Sequence, residues 1–373
     1  MKIFLSKPHM SGQEEIHVKE AFDSNYIAPL GPHLDAFEEK VSNYIGQDFY
    51  CVGLSSGTSA LHLALIVSGV EKGDEVWVSS MTFAGGVFPI KYIGAIPRFF
   101  DLNPKTWCID ENILREQLKK ASIENRLPKA IIPTDLYGQS VELNSLEAIA
   151  REYEVTLVVD SAESLGAEYL DGRKAGSGGD IAILSFNGNK IITTSGGGMI
   201  VTKNKSWADK ARFLSTQARD RALHYEHSHI GYNYRLSNIS AAIGLGQMSV
   251  LDDRVKARRD IFDRYYDKLN VEGINFMPEP NGYKSTRWLT ALTIDAQKTG
   301  ISHLEVIKIL NEHRIESRPL WKPMHLQPIF NGIPYYGSGF DESIFNSGLC
   351  LPSSSDLSLD QQQGIINLIL EAL

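Results

Sequence analysis

The sequence predicts an α/β protein, with a large, mostly parallel sheet flanked by helices and a smaller α/β unit at its C-terminal end. Three observations carry that expectation. From residue 51 to about 202, short apolar runs alternate with segments whose apolar residues recur at helical spacing. The runs are near-continuous in Val, Ile, Leu and Phe, as strands buried on both faces require. Beyond residue 250 the alternation continues with different lengths, which marks a second unit.

The elements follow in chain order. "SGQEEIHVKEAFDS" sets Glu14 three residues after Ser11, the spacing of a capping box, so a helix begins there and "NYIAPLGPHL" ends it with proline and glycine. "EVWVSS", "IPRFFD", "KAIIPTDLYG", "TLVVDSAE", "IAILSF" and "GMIVTK" read as strands, and "SALHLALIVSG", "ENILREQLKKA" and "LNSLEAIAREY" as the helices between them. "LSNISAAIGLGQMSVLDDRVKARRDIFDRYYDKL" reads as two helices or one long bent helix. Past it, "RWLTALTID", "IESRPLW" and "GLCLPS" are expected as strands, with "ISHLEVIKILNEH" and "LDQQQGIINLILEAL" as helices. The boundary falls near residue 250, dividing the chain into a large domain at 1–250 and a small one at 251–373.

Composition narrows the function classes. With 43% hydrophobic and 22% charged residues in 373, the chain can bury a sizeable core, which excludes disordered and fibrous classes. Its net charge of -8 argues against nucleic acid as a partner. Cys51, Cys108 and Cys350 lack CxxC spacing, so neither a disulfide framework nor a structural zinc site is expected. "MKIFLSKPHM" is too short in apolar residues for a signal peptide, and no stretch reaches the roughly 20 apolar residues of a membrane span. A cytoplasmic protein without membrane association is the expectation.

Chemistry is sought where open α/β sheets place it, beyond the carboxyl ends of the strands. "TLVVD" ends on Asp160, and taken singly an acid after a strand is more often a helix cap than a site residue; "VWVSS" leads into Met81, Thr82 and Phe83; "IIPTDLYGQ" ends in a polar and aromatic cluster. "SSGTSALHLAL" feeds a helix from a glycine- and hydroxyl-rich turn, whose Gly57, Thr58 and Ser59 could offer backbone N–H groups to a phosphate. A capped helix without ligand fits that turn as well. His62 on the helix reads as packing or surface. GxGxxG, GxxxxGK[ST] and HExxH are all absent. His224, His227 and His229 cluster in "HYEHSHIGYNYR" without ligand spacing, so they read as a polar loop or subunit contact, and no metal is expected.

"SFNGNKIITTSGGGMI" carries the sharpest signal. Lys190 follows a buried strand and precedes a flexible glycine run, with Ser185 before it, a setting suited to an amine that bonds an aldehyde. Pyridoxal 5'-phosphate is the cofactor such a lysine takes. Its ring nitrogen wants a carboxylate, which Asp160 can supply; its phosphate wants the helix start at Gly57 and Thr58 together with Ser185; its flat face wants an aromatic cover, for which Phe83 is placed.

Taken in order, "NYIAPLGPHLDAFE", "SGTSALHLAL", "MTFAGGV", "DLYGQ", "VVDSAESLGA", "SFNGNKIITTSGGGM", "GYNYRLSNISAAIGLGQ" and "RPLWKPMH" resemble the DegT/DnrJ/EryC1/StrS sugar aminotransferases, which are fold-type I pyridoxal-phosphate enzymes; the resemblance implies a large sheet of the seven-stranded type. The resemblance implies that Lys190 binds the cofactor covalently, that Asp160 partners the pyridinium, that Thr58 and Ser185 contact the phosphate, and that Phe83 covers the ring. It implies too that Asn233 of "GYNYR" reaches the neighbouring active site of a homodimer, and it puts Glu163 where many relatives carry glutamine near the cofactor's 3-hydroxyl. Within the group the chain looks most like enzymes that move an amine from L-glutamate to C4 of a UDP-linked 2-acetamido-2,6-dideoxy-4-ketohexose, as in bacillosamine-type pathways. A dTDP- or GDP-linked 4-keto-6-deoxy sugar is the nearest competitor, and a non-catalytic binding protein or regulator on the same fold the second. Substrate contacts are expected from Asn25, Tyr26 and Ile27 and from Trp321, Lys322 and His325.

Overall fold

The computed structural model describes residues 2–373. Twelve strands form two sheets: β1 (Tyr50–Leu54), β2 (Glu75–Ser79), β3 (Ile96–Phe100), β4 (Ala130–Ile132), β5 (Thr156–Asp160), β6 (Ile181–Ser185), β7 (Gly198–Thr202), β8 (Ile274–Phe276), β9 (Thr290–Ile294), β10 (Arg318–Pro319), β11 (Tyr335–Tyr336) and β12 (Gly348–Leu351). The large sheet has eight strands in the order β1-β7-β6-β5-β4-β2-β3-β11. All run in one direction except β7, which is antiparallel to both its neighbours. The mostly parallel α/β sheet is thus as expected, with one strand more than the seven-stranded type.

Side-chain alternation explains why helices cover both faces. Val76, Val78, Val158, Ile181 and Ile183 join one apolar cluster, while Trp77, Leu157, Val159, Ala182 and Leu184 join another on the opposite face. The central strands have no polar face to give to water. Helix Gly57–Val67 is apolar almost all round and is buried against the first cluster.

Several expectations about single elements change. "KAIIPTDLYG" is a strand only over Ala130–Ile132 and then enters a tight 3-10 turn, Leu136–Gly138. "IESRPLW" yields only the two-residue β10. The long segment after residue 236 is two helices, Asn238–Met248 and Leu251–Leu269, separated at Ser249 and Val250.

A four-stranded antiparallel sheet, β10-β12-β9-β8, is built entirely from residues after 250 and has its own apolar cluster around Tyr265, Leu292, Leu310 and Ile365. The chain crosses the boundary expected at 250 in both directions. β11 leaves this C-terminal part to pair with β3 in the large sheet. At the other end, Ile3 bridges to Ile315, and Ser353 donates its N–H to Leu5 O at 2.9 Å. No helix among the described residues is long and apolar enough to cross a membrane.

Candidate active site

The strand directions put the carboxyl ends of β1, β2, β4, β5 and β6 and the start of β7 along one edge of the sheet, and a cavity of about 390 Å³ opens there. Its floor is made by residues at or just past those ends: Gly57 and Thr58, Thr82, Thr134, Asp160 and Glu163, Ser185 and Lys190. The close approach of β7 to the helix start depends on Gly198. A Cβ there would fall 2.3 Å from Ser56 O and 2.4 Å from Gly57 N. Gly86 likewise leaves open the space before Asp160, since its Cβ would lie 2.9 Å from Asp160 Oδ2.

Lys190 and the two acids form the floor's charged centre. The Lys190 side chain is 11% exposed; its Nζ lies 3.1 Å from Glu163 Oε1 and 4.2 Å from the centre of the Trp288 ring. Glu163 Oε2 accepts the Tyr137 N–H at 2.8 Å, and Asp160 Oδ1 accepts the Ala162 N–H at 3.2 Å. Burial raises the Asp160 carboxyl to about 7, with the nearby Glu163 charge adding to the rise and Lys190 opposing it. Burial also raises Glu163, again against the pull of the Lys190 ammonium. One ammonium facing two buried acids leaves the floor short of positive charge.

That shortage fits the pyridinium of pyridoxal phosphate, which would restore the ionised form of Asp160. The buried hydroxyls Thr82 Oγ1 and Thr134 Oγ1 have no protein partner, and both residues line the cavity. Lys190 would hold the group covalently, Asp160 would face its ring nitrogen, and Gly57, Thr58 and Ser185 would stand at its phosphate.

Expected site residues divide by position. Lys190, Asp160, Glu163, Gly57, Thr58, Ser185, Phe83 and Trp321 share the cavity. Ser59 does not: its N–H donates to Ser56 Oγ and its Oγ accepts the Ser56 N–H, both at 3.0 Å, so the capping box consumes the groups expected to bind phosphate. His325 is also turned away, its Nε2 3.1 Å from Glu342 Oε1 and its ring stacked 3.9 Å from that of Tyr335. Lys322 is exposed and lies outside the cavity lining. Asn233, Asn25, Tyr26 and Ile27 are all exposed, and none of the four lines this cavity.

The cavity also takes Leu5, Trp288, Leu289, Arg318 and Cys350, which sequence reasoning missed as site residues. Arg318 opens the "RPLW" segment and was within reach of that reading; Trp288 and Leu5 carry no local signal, because they arrive from distant parts of the chain. Phe83, 62% exposed, stands 5.7 Å from Trp321 at the mouth.

The histidines do not converge. His224 faces Glu226, His227 faces Gln217 O, and His229 faces Ser228. His17, Glu20 and His33 do come together, with Glu20 Oε2 3.0 and 3.3 Å from the two rings. Asn238 decides that case. Its Oδ1 accepts the His33 and Leu34 N–H groups, so its amide NH₂ faces His33 Nδ1, leaving Nε2 to carry the proton toward Glu20 with no lone pair for an ion.

Fold and floor together define a lysine-dependent pyridoxal-phosphate enzyme. The chain belongs to the DegT/DnrJ/EryC1/StrS aminotransferase family, whose model matches residues 8–370. It is 46% identical to the putative pyridoxal phosphate-dependent aminotransferase EpsN of Bacillus subtilis, over 99% of this chain and 95% of the relative. The GDP-perosamine synthase of Caulobacter vibrioides is 35% identical over 96% of this chain and 94% of its own. The UDP-4-amino-4,6-dideoxy-N-acetyl-beta-L-altrosamine transaminase of Campylobacter jejuni is 34% identical over 79% and 73%. The protein is therefore a pyridoxal-phosphate-dependent aminotransferase of the nucleotide-sugar group, with the fold-type I architecture.

Proposed function

We propose that the protein transfers the amino group of L-glutamate to C4 of a nucleotide-linked 4-keto-6-deoxy sugar, namely a UDP-2-acetamido-2,6-dideoxy-4-ketohexose, yielding the 4-amino sugar and 2-oxoglutarate. The observation that carries the reading is the buried Lys190 amine on the cavity floor, 3.1 Å from Glu163 and flanked by Asp160. A binding protein or regulator on this fold would have no use for that arrangement.

When bound, pyridoxal phosphate supplies an electron sink that acidifies the carbon bearing the amine. The chain's own residues do the rest. Lys190 Nζ, released from its bond to the cofactor when the donor's amine replaces it, would take the proton from the amino-acid α-carbon and, in the second half of the cycle, would deliver one to C4 of the sugar. Asp160 holds the charge of the ring nitrogen, while Gly57, Thr58 and Ser185 fix the phosphate. Phe83 covers the cofactor ring, Trp321 gives an apolar wall to the sugar, and Arg318, the cavity's only lining cation besides Lys190, provides a charge for anionic substrates.

The competing readings put a GDP- or dTDP-linked sugar in the same cavity, and the similarity to GDP-perosamine synthase favours the GDP form among them. Asn233 and the Asn25–Tyr26–Ile27 segment are exposed and lie outside the cavity. They are accordingly proposed to act across a homodimer. The test is incubation with glutamate and UDP-, dTDP- and GDP-linked 4-ketosugars, with products identified by mass and NMR. Formation of 2-oxoglutarate with the UDP sugar preferred supports the reading; preference for another nucleotide, or no turnover, rejects it.

A further inference from the structure

The turn after β4 has to satisfy unusual backbone demands. Tyr137 adopts φ 51° and ψ 21°, a left-handed conformation costly for a bulky aromatic residue, and Gly138 follows at φ +98°. Asparagine or glycine would accept the same backbone with less strain. What tyrosine adds is a second point of attachment.

Its backbone N–H donates to Glu163 Oε2 at 2.8 Å, the carboxylate that pairs with Lys190. Its Oη, at the other end of a side chain only 1% exposed, accepts the N–H of Trp321 at 2.9 Å, and the two rings stand 5.1 Å apart. The next residue is wedged in place. A Cβ on Gly138 would fall 2.3 Å from Thr286 Oγ1 and 2.8 Å from Trp288 N, and Gly138 O accepts the Thr286 N–H at 3.0 Å. The turn therefore touches the floor, the Trp288 wall and the Trp321 wall at once.

We infer that Tyr137 is a positioning residue that fixes the Arg318–Trp321 wall relative to the Lys190 amine, and so sets how the sugar substrate is held. The amino donor is small and reacts at the floor, whereas Trp321 faces Phe83 at the mouth, where a larger substrate must lie. This rests on the aminotransferase reading above. Removing the hydroxyl should loosen the outer wall and leave the floor intact, because the bond to Glu163 comes from the backbone.

The experiment compares wild type with Tyr137→Phe in separate half-reactions. The expected result is a KM for the ketosugar raised about tenfold, with kcat and the rate of cofactor conversion by glutamate each within about twofold of wild type. An unchanged sugar KM, or equal losses in both half-reactions, would overturn the inference. A second readout is residue-resolved hydrogen exchange of the holoenzyme. The Trp321 amide should exchange at least about tenfold more slowly than that of exposed Lys322 in wild type, and lose that protection in Tyr137→Phe. Equal exchange at the two amides in wild type would overturn the inference even if the variant failed to fold. If wild type aminated none of the sugars, the substrate proposal would fall while the exchange measurement still judged Tyr137.

Discussion

The cavity's floor and mouth are built in opposite ways. The floor comes from residues within a few positions of strand ends, and its acids and amine are almost wholly buried. The mouth is gathered from the N-terminal strap at Leu5 and the wall from Arg318 to Trp321, which the buried turn at Tyr137 backs; Phe83 there is 62% exposed. In the floor, desolvation makes every charge consequential. In the mouth, solvent weakens each contact, so position matters more than charge.

Substitutions at the two ends should separate accordingly. The largest effect is expected at the amine: Lys190→Ala should reduce turnover by at least ~10³-fold and abolish the visible absorbance of the loaded enzyme. Full activity in that variant would refute the whole account of the floor.

Asp160→Asn should lower kcat by roughly 10²-fold, and it carries a signature in stability. The Asp160 carboxyl binds its proton more tightly in the folded protein, at about 7 against an ordinary 3.8, so it imposes no cost below pH ~4. As pH rises from about 4 to about 7 the cost grows, to at most about 4 kcal/mol, and then remains. Calorimetry on cofactor-free wild type should show stability falling through that window. The variant should show a shallower fall, with Glu163 still contributing in the same direction.

At the mouth, Trp321→Ala should raise the KM for the sugar roughly three- to tenfold through lost aromatic contact and leave the glutamate half-reaction nearly unchanged, as stopped-flow absorbance can check. A variant that impaired both halves equally would erase the distinction between the two ends. The smallest effect belongs to Lys322→Ala. This exposed side chain lies outside the lining, and steady-state kinetics within about twofold of wild type are expected.

The same contrast explains what could be read in the sequence. Asp160 and Lys190 are legible because a polar residue after a buried strand has one place to go in a parallel sheet. Gly57 and Thr58 follow from the helix start, but Ser59 does not, because serine at the third helical position serves a capping box as readily as a phosphate. Trp288 and Leu5 depend on long-range packing that no local pattern encodes. His325 illustrates the opposite error, a histidine beside a site whose contact with Glu342 takes it elsewhere. β11 was illegible for a related reason: two residues pairing with β3 are too few to establish a period.

The strap at the amino end sets a timetable for the finished enzyme. Ser6 Oγ donates to the carbonyl of Asn189 at 2.7 Å, Leu5 lines the cavity, and the stretch is pinned by Ser353 and Ser354. A ribosome making this chain releases the strap long before the serines that anchor it. The loop bearing the reactive amine therefore gains its full set of neighbours only after Ser353 and Ser354 have emerged, and a nascent chain halted before those serines has the lysine without its frame.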